Sequence, residues 1–176
     1  DNIQTHFSVN VTAIDGSTKT VQYEEKDAEG ITVRKELKFD ICHAVPPQSA
    51  PEFIKRSPLA DPKNAYGYVN INKNTMQHTS YANIFALGDC TNAPCSKTGA
   101  AIRKQAPVVV ENLLAFLSDN KLTGDYTGYS ACPIPTEYGK LMLAEFDYTN
   151  TPTMTFPINQ ARPNWAMWIL KVKILP

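Results

Sequence analysis

The chain has 176 residues, 43% of them apolar and 19% charged, with 17 Lys plus Arg balanced by 17 Asp plus Glu. That length holds one ordinary domain of roughly 100–200 residues, and the composition is that of a globular chain rather than a disordered one. Zero formal charge gives no basic excess for nucleic acid and no acidic tail, and no run of about 20 apolar residues offers a membrane-spanning helix. The opening DNIQTHFSVN lacks the basic start and continuous apolar run of a signal peptide, and reads as a chain entered in mid-fold.

In chain order, residues 6–44 read as antiparallel strands. Phe7, Val9 and Val11 alternate with polar residues, Asp15-Gly16 turns the chain, and Thr20 to Glu24 resumes the alternation. Asp27 to Gly30 is a second turn, followed by Ile31, Val33, Leu37, Phe39 and Ile41. Pro46-Pro47 stops this meander, because proline has no N–H to donate to a ladder. Residues 46–66 carry five Pro and read as a crossover rather than an element. Gly67 to Ile71 is a short strand candidate, and Asn83 to Leu87 a buried strand ended by Gly88-Asp89. Residues 96–118 form the best helix, capped by Ser96, with Ala100, Ala101, Ile102, Val108, Val109, Leu113, Leu114 and Leu117 on its apolar face. Pro107 inside it predicts a kink or a break, and Gly124 marks the stop region. Residues 139–148 give another strand, and the tail from Pro163 to Leu175 has Trp165, Trp168, Ile169 and Val172 at helical spacing.

The chemistry-bearing segment is residues 84–106, IFALGDCTNAPCSKTGAAIRKQA. It reads as strand, tight turn, loop and helix N-terminus. A carboxylate at a strand's end accepts from ligand hydroxyls, Gly88 allows close approach to the backbone, and the positive end of the following helix favours negative charge. Such a unit at the carboxyl edge of a parallel sheet commonly binds nucleotides, but spacing alone fits a plain surface turn as well. The cysteines Cys42, Cys90, Cys95 and Cys132 have no metal-ligand spacing, and with three His in the chain no metal site is expected. Reduced thiols are the ordinary reading, with Cys42 in the core. Cys90 and Cys95 are near enough in sequence for a disulfide and receive no redox role. His43 and His78 have no visible partners and read as structural.

The segment Asn83-Ile84-Phe85-Ala86-Leu87-Gly88-Asp89-Cys90 resembles the second FAD-binding motif of the two-dinucleotide-binding-domain flavoproteins. Thr91-Asn92, Pro94 and Ser96-Lys97-Thr98 are similar to sulfide:quinone oxidoreductases of the mitochondrial type. So are Leu59-Ala60-Asp61, Tyr68-Val69-Asn70, Tyr129-Ser130-Ala131-Cys132-Pro133 and Leu143-Ala144-Glu145-Phe146-Asp147-Tyr148. The resemblance implies an α/β fold: a partial Rossmann-like FAD domain over 46–122, preceded by a β-meander from an NAD-type domain over 1–45. An irregular C-terminal redox and quinone-side extension would occupy 123–176. It further implies that the GxGxxG motif, absent from these residues, lies upstream, and that a membrane-associating segment begins near Lys173 to Pro176.

The same resemblance implies the roles. Asp89, beside Gly88, accepts from the ribityl hydroxyls of FAD. Lys97 and Thr98 begin the helix facing the flavin's N1/C2=O side, with a solvated surface lysine as the ordinary alternative for Lys97. Cys132 is one of two cysteines whose disulfide sulfide attacks, its mate lying upstream. Electrons then pass through FAD to quinone, and the sulfur to an acceptor. Peripheral association with the mitochondrial inner membrane, or with a bacterial cytoplasmic membrane, is implied as well. Tyr138, Phe146, Trp165, Met167 and Trp168 read first as a helix packed on the domain body, and otherwise as a quinone pocket or membrane-facing surface. Three other readings stay open: a type II NADH:quinone dehydrogenase, a flavocytochrome c sulfide dehydrogenase flavin subunit, and a non-catalytic isolated domain.

Overall fold

The computed structural model describes residues 3–174 of a chain that falls into two compact units, Asp1–Pro47 and Gln48–Pro176. Asp1, Asn2, Leu175 and Pro176 lie outside the described residues. The last two close the predicted tail helix and the segment expected at Lys173 to Pro176.

The first unit is an antiparallel meander of β1 (Asn10–Asp15), β2 (Thr20–Lys26) and β3 (Thr32–Lys38), in the order β1-β2-β3. A bulge at Thr12 shifts the β1–β2 register, and its hydroxyl donates to Gln22 O at 3.2 Å. The first turn is held by Asp15, whose carboxylate accepts from Ser17 Oγ at 2.6 Å and Ser17 N at 2.8 Å. These bonds to the ionised form, the Ser17 hydroxyl foremost, hold the Asp15 carboxyl down to about 2. The predicted alternation fails at both ends. Ser8 has a φ of 57°, which no strand continues through, so Phe7 and Val9 precede β1. After β3 the chain leaves the ladder, so Cys42 is exposed rather than a core residue. Thr20 is the only buried residue described in this unit, and Val11, Ile14, Ile31 and Leu37 remain exposed.

The second unit begins with a single helical turn, α1 (Glu52–Lys55), within the predicted crossover. Its Ile54 packs into a core of Ala50, Tyr68, Val69, Ile71, Met76, Ala93 and Tyr126. Residues 67–71 and 83–87 form no sheet. Isolated bridges join Val69 to Ala60 and Thr91, Ile71 to His78 and Phe85 to Gln77. The reverse turn that closes with Ile84 N–H on Tyr81 O and the left-handed Gly88 bracket residues 84–87 too closely for a ladder, and these residues are half-buried. The parallel Rossmann-like sheet expected here is therefore not seen. The architecture is mixed α/β with two small antiparallel sheets.

Helix α2 (Gly99–Leu117) follows, continuous through Pro107. The break expected there does not occur: proline removes one N–H, while the helix's packing is carried by Ala101, Gln105 and Asn112. The buried stripe is thus partly polar, and Leu113, Leu114 and Leu117 of the predicted apolar face are exposed. Asn112 accounts for this difference. Its amide donates to Thr75 O at 3.0 Å and Gly124 O at 2.9 Å and accepts from Gly124 N at 2.8 Å. Gly124 serves close approach rather than helix termination, since a Cβ there would lie 3.0 Å from Val108 O. The helix ends earlier, at Ser118 and Asp119, the latter at a φ of 54°.

The second sheet orders β4 (Ser130–Glu137), β5 (Lys140–Phe146) and β6 (Pro152–Thr153), giving the expected irregular extension a regular hairpin. Pro133 and Pro135 mask β4 as a strand in the sequence. It tolerates them because it is an edge strand. Ala131, Leu141 and Leu143 enclose Met167 from α3 (Trp165–Ile169), which Asn164 caps by accepting from Met167 N at 2.9 Å. Trp168 packs against Tyr138 with the rings tilted and their centroids 5.5 Å apart, while Trp165 stays exposed. A π-helical turn, Leu170–Ile174, continues α3.

Candidate cofactor and redox site

The Gly88-Asp89 turn is a single 3₁₀ turn, Gly88–Cys90, entered from extended Leu87. Gly88 has a φ of 75°, and a Cβ there would also press on Ile102 Cδ1 at 3.3 Å, so glycine is required twice over. Its N–H donates to Gln105 Oε1 at 2.8 Å. Thr91 closes the turn, its hydroxyl donating to Gly88 O at 2.9 Å. Asp89 is exposed, and its carboxylate accepts no hydrogen bond from the described residues. It is an open acceptor at the turn's tip.

The loop into α2 brings Lys97 and Thr98 to the same depression as Gly88, Asp89, Thr91 and Gln105. Thr98, not Ser96, caps the helix: Thr98 has extended φ and ψ and its Oγ1 accepts from Ala101 N at 3.2 Å, while Ser96 stands exposed two residues early. Lys97 is half-buried. Its Nζ donates to Thr91 O at 2.6 Å and lies 4.2 Å from the centre of the Tyr68 ring. Burial pulls its pKa below the usual lysine value. It is not a freely solvated lysine.

Cys132 sits on β4 opposite Ala144 of β5, between the inward-facing Ala131 and the half-buried Pro133. Strand alternation turns its thiol outward, and it is exposed. All four cysteines are free thiols. Cys90 is half-buried and burial pushes its thiol up, as expected of a packing cysteine. Among the described residues no group of His, Cys, Asp or Glu is gathered as for a metal ion.

Several residues central to this region carry little signal in the sequence. His78 has partners after all: Nδ1 accepts from Ser80 N at 3.0 Å and Tyr81 N at 3.2 Å, leaving Nε2 to donate to Leu59 O at 3.1 Å. It closes the loop before the turn. Gln105, seven residues after the Thr98 cap on the buried stripe of α2, is the polar residue whose position in the pattern was the available signal. Tyr126 and Glu145 left no such mark.

A fit to a flavin dinucleotide can be judged from these groups. The turn exposes a glycine backbone, an unpaired carboxylate that suits polyol hydroxyls, and a lysine and capped helix start that suit an electron-rich ring edge. The residues present fit one side of such a ligand. They supply no glycine-rich pyrophosphate loop.

No protein-family profile matches the chain. Curated relatives do. It is 34% identical over 175 residues to the mitochondrial sulfide:quinone oxidoreductase of Mus musculus and 40% identical over 174 residues to that of Dictyostelium discoideum. It is 37% identical over 180 residues to that of Schizosaccharomyces pombe. Each match covers 99% of this chain and 37–38% of the relative. A chain in a cryo-EM structure of the Tetrahymena thermophila mitochondrial ATP synthase tetramer has the same fold, with a TM-score of 0.77 at 21% identity. That match covers 99% of this chain and 41% of the other. These relatives are named as oxidoreductases. The chain is similar over nearly its whole length to mitochondrial sulfide:quinone oxidoreductases, of whose length it spans a little over a third.

Proposed function

We propose that this segment contributes one side of an FAD site and one of two redox cysteines to a sulfide:quinone oxidoreductase of the mitochondrial inner membrane. The observation that carries the reading is the pairing, within one compact unit, of an outward-facing Cys132 thiol with a left-handed Gly88 turn bearing an Asp89 carboxylate that accepts no hydrogen bond from the described residues. The 34–40% identity to mitochondrial sulfide:quinone oxidoreductases supports it.

Asp89 accepts from the ribityl hydroxyls, Gly88 lets the ligand approach the backbone, and Lys97 with the start of α2 supplies positive potential. Bound there, the flavin would accept an electron pair and return it to quinone. The cysteines do the sulfur chemistry. Hydrosulfide attacks one sulfur of a disulfide between Cys132 and a cysteine outside this segment, and the S–S bond breaks. One sulfur leaves as a thiolate carrying the bond's electron pair while the other becomes a persulfide. An acceptor thiol or anion then removes the outer sulfur. The outward position of Cys132 provides the access that exchange requires. No helix among the described residues is long and apolar enough to cross a membrane.

The test uses the full-length flavin-loaded enzyme carrying Cys132→Ser. Sulfide should no longer bleach the flavin absorbance, while a chemical reductant still does. Near-normal bleaching by sulfide refutes the assignment. In parallel, Asp89→Ala should release FAD on gel filtration, and retained flavin absorbance refutes the cradle.

A further inference from the structure

A single run of partly buried polar contacts joins the Gly88 turn to the strand of Cys132. Gly88 N–H donates to Gln105 Oε1 at 2.8 Å, and Gln105 Nε2 lies 3.9 Å from Cys95 Sγ. Cys95 Sγ is 3.4 Å from Tyr126 Oη, which donates to Tyr129 O at 2.6 Å. Tyr129 directly precedes β4, and Cys132 is three residues on. Gln105 and Tyr126 are each only 2% exposed.

Neither residue is needed as polar bulk alone. The cluster that Tyr126 joins is apolar, and leucine and phenylalanine would fill the space of Gln105 and Tyr126. What the polar groups add is direction: in low-dielectric surroundings a fully paired network favours one arrangement over near alternatives. Tyr126 ties its own hydroxyl to the carbonyl three residues ahead, closing the bend through Gly128, whose φ is 89° and which lies against Tyr148. Burial, seconded by the Cys95 thiol, pushes the Tyr126 hydroxyl well above the usual tyrosine range, so it stays a donor at neutral pH.

We propose that Gln105 and Tyr126 are positioning residues that fix the Cys132 strand relative to the Gly88-Asp89 turn. This rests on the cysteine and cradle roles given above. Through this relay the two halves of the redox site keep a set separation, Tyr126 acting through the Tyr129 carbonyl it holds and Gln105 through the Gly88 N–H. A misplacement of about 1 Å in a reacting pair costs on the order of a hundredfold in rate. The relay therefore bears on the sulfide half-reaction and not on quinone reduction.

The experiment takes full-length, flavin-loaded enzyme as wild type, Tyr126→Phe and Gln105→Leu. Stopped-flow absorbance follows flavin bleaching by sulfide, and separately the reoxidation of dithionite-reduced enzyme by a short-chain quinone. The expected result is bleaching slowed by roughly tenfold to a hundredfold in both variants, with reoxidation within about twofold of wild type. Unchanged bleaching in Tyr126→Phe, or an equal slowing of both half-reactions, overturns the proposal, because packing alone would then explain the residues. Should one variant lose flavin, the other provides the independent check. A wild type that sulfide does not bleach overturns the cysteine reading and this inference with it. A responsive wild type with indifferent variants overturns the inference alone.

Discussion

Glu145 offers the sharpest test of how the C-terminal sheet is held. Its carboxylate, 2% exposed, has no cationic partner among the described ion pairs and is instead enclosed by donors. Oε1 accepts from the Tyr129 hydroxyl and from Thr155 Oγ1 at 2.7 Å; Oε2 accepts from Thr155 N at 2.9 Å and from Gln160 Nε2. Glu145→Gln preserves shape and the bonds on one oxygen but turns an NH2 toward the Thr155 and Gln160 donors. Bonds to a charged acceptor contribute about 1.5–3 kcal/mol each, so losing two costs about 3 kcal/mol at neutral pH. Burial raises the Glu145 pKa, but the bonds from Tyr129, Thr155 and Gln160 outweigh it, and the net shift is downward. The sign follows. A depressed folded-state value means the carboxylate's contribution is complete above the unfolded value of about 4.3 and is lost as pH falls through the folded value. Urea unfolding followed by circular dichroism should show the wild type ahead of Glu145→Gln by about 3 kcal/mol at pH 7, with the gap closing as the pH is lowered below about 4. An equal gap at both pH values, or one under about 0.5 kcal/mol at pH 7, refutes the reasoning.

Asn112→Leu should cost about 3 kcal/mol in urea unfolding, because Gly124 N, Gly124 O and Thr75 O lose their buried partner; a loss under about 1 kcal/mol contradicts this. Gly88→Ala should lower stability by about 1–2 kcal/mol through its left-handed φ and, in the full-length enzyme, reduce retained flavin absorbance; an unchanged melting temperature argues against the turn geometry. Iodoacetamide labelling followed by peptide mass spectrometry should modify exposed Cys42 and Cys132 well before half-buried Cys90, whose thiol burial pushes upward. Cys90 reacting first would contradict the burial.

The sequence carried the local features whose causes are local. The meander's turns at Asp15 and Asp27 are written in side chains that bond their own backbone, and Asp27 Oδ1 indeed accepts from Ile31 N at 2.9 Å. Strand β5 shows its period of two, with Leu141, Leu143 and Glu145 buried. Periodicity failed where burial is polar. Gln105 and Asn112 occupy the inner stripe of α2 because loops distant in sequence present backbone groups to them, and an amide scores as surface until those loops are known. Glu145 is the same case: it looked like one letter of a family resemblance, whereas its four donors come from residues 129, 155 and 160. The residues 83–87 failed in the opposite direction. Their apolar run has the pattern of a buried strand, but neighbouring turns limit it to a single bridge.

On the proposed reading, the turn's two charged side chains must act differently. Asp89 is exposed with both oxygens unpaired, so it can meet a ligand hydroxyl directly. Lys97 cannot do the equivalent for an anion without leaving Thr91 O and the face of Tyr68, both of which it holds from a half-buried position. Its charge therefore acts through space, alongside the partial positive charge at the start of α2, and burial strengthens that field by removing screening water. The same burial lowers the lysine's own pKa. A fixed cation that is costly to bury, tied to a carbonyl and not to a carboxylate, gains a favourable partner when electron density accumulates beside it. That is a better description of a residue tuning an electron acceptor than of one gripping a ligand, and it leaves the gripping to Asp89 and Gly88.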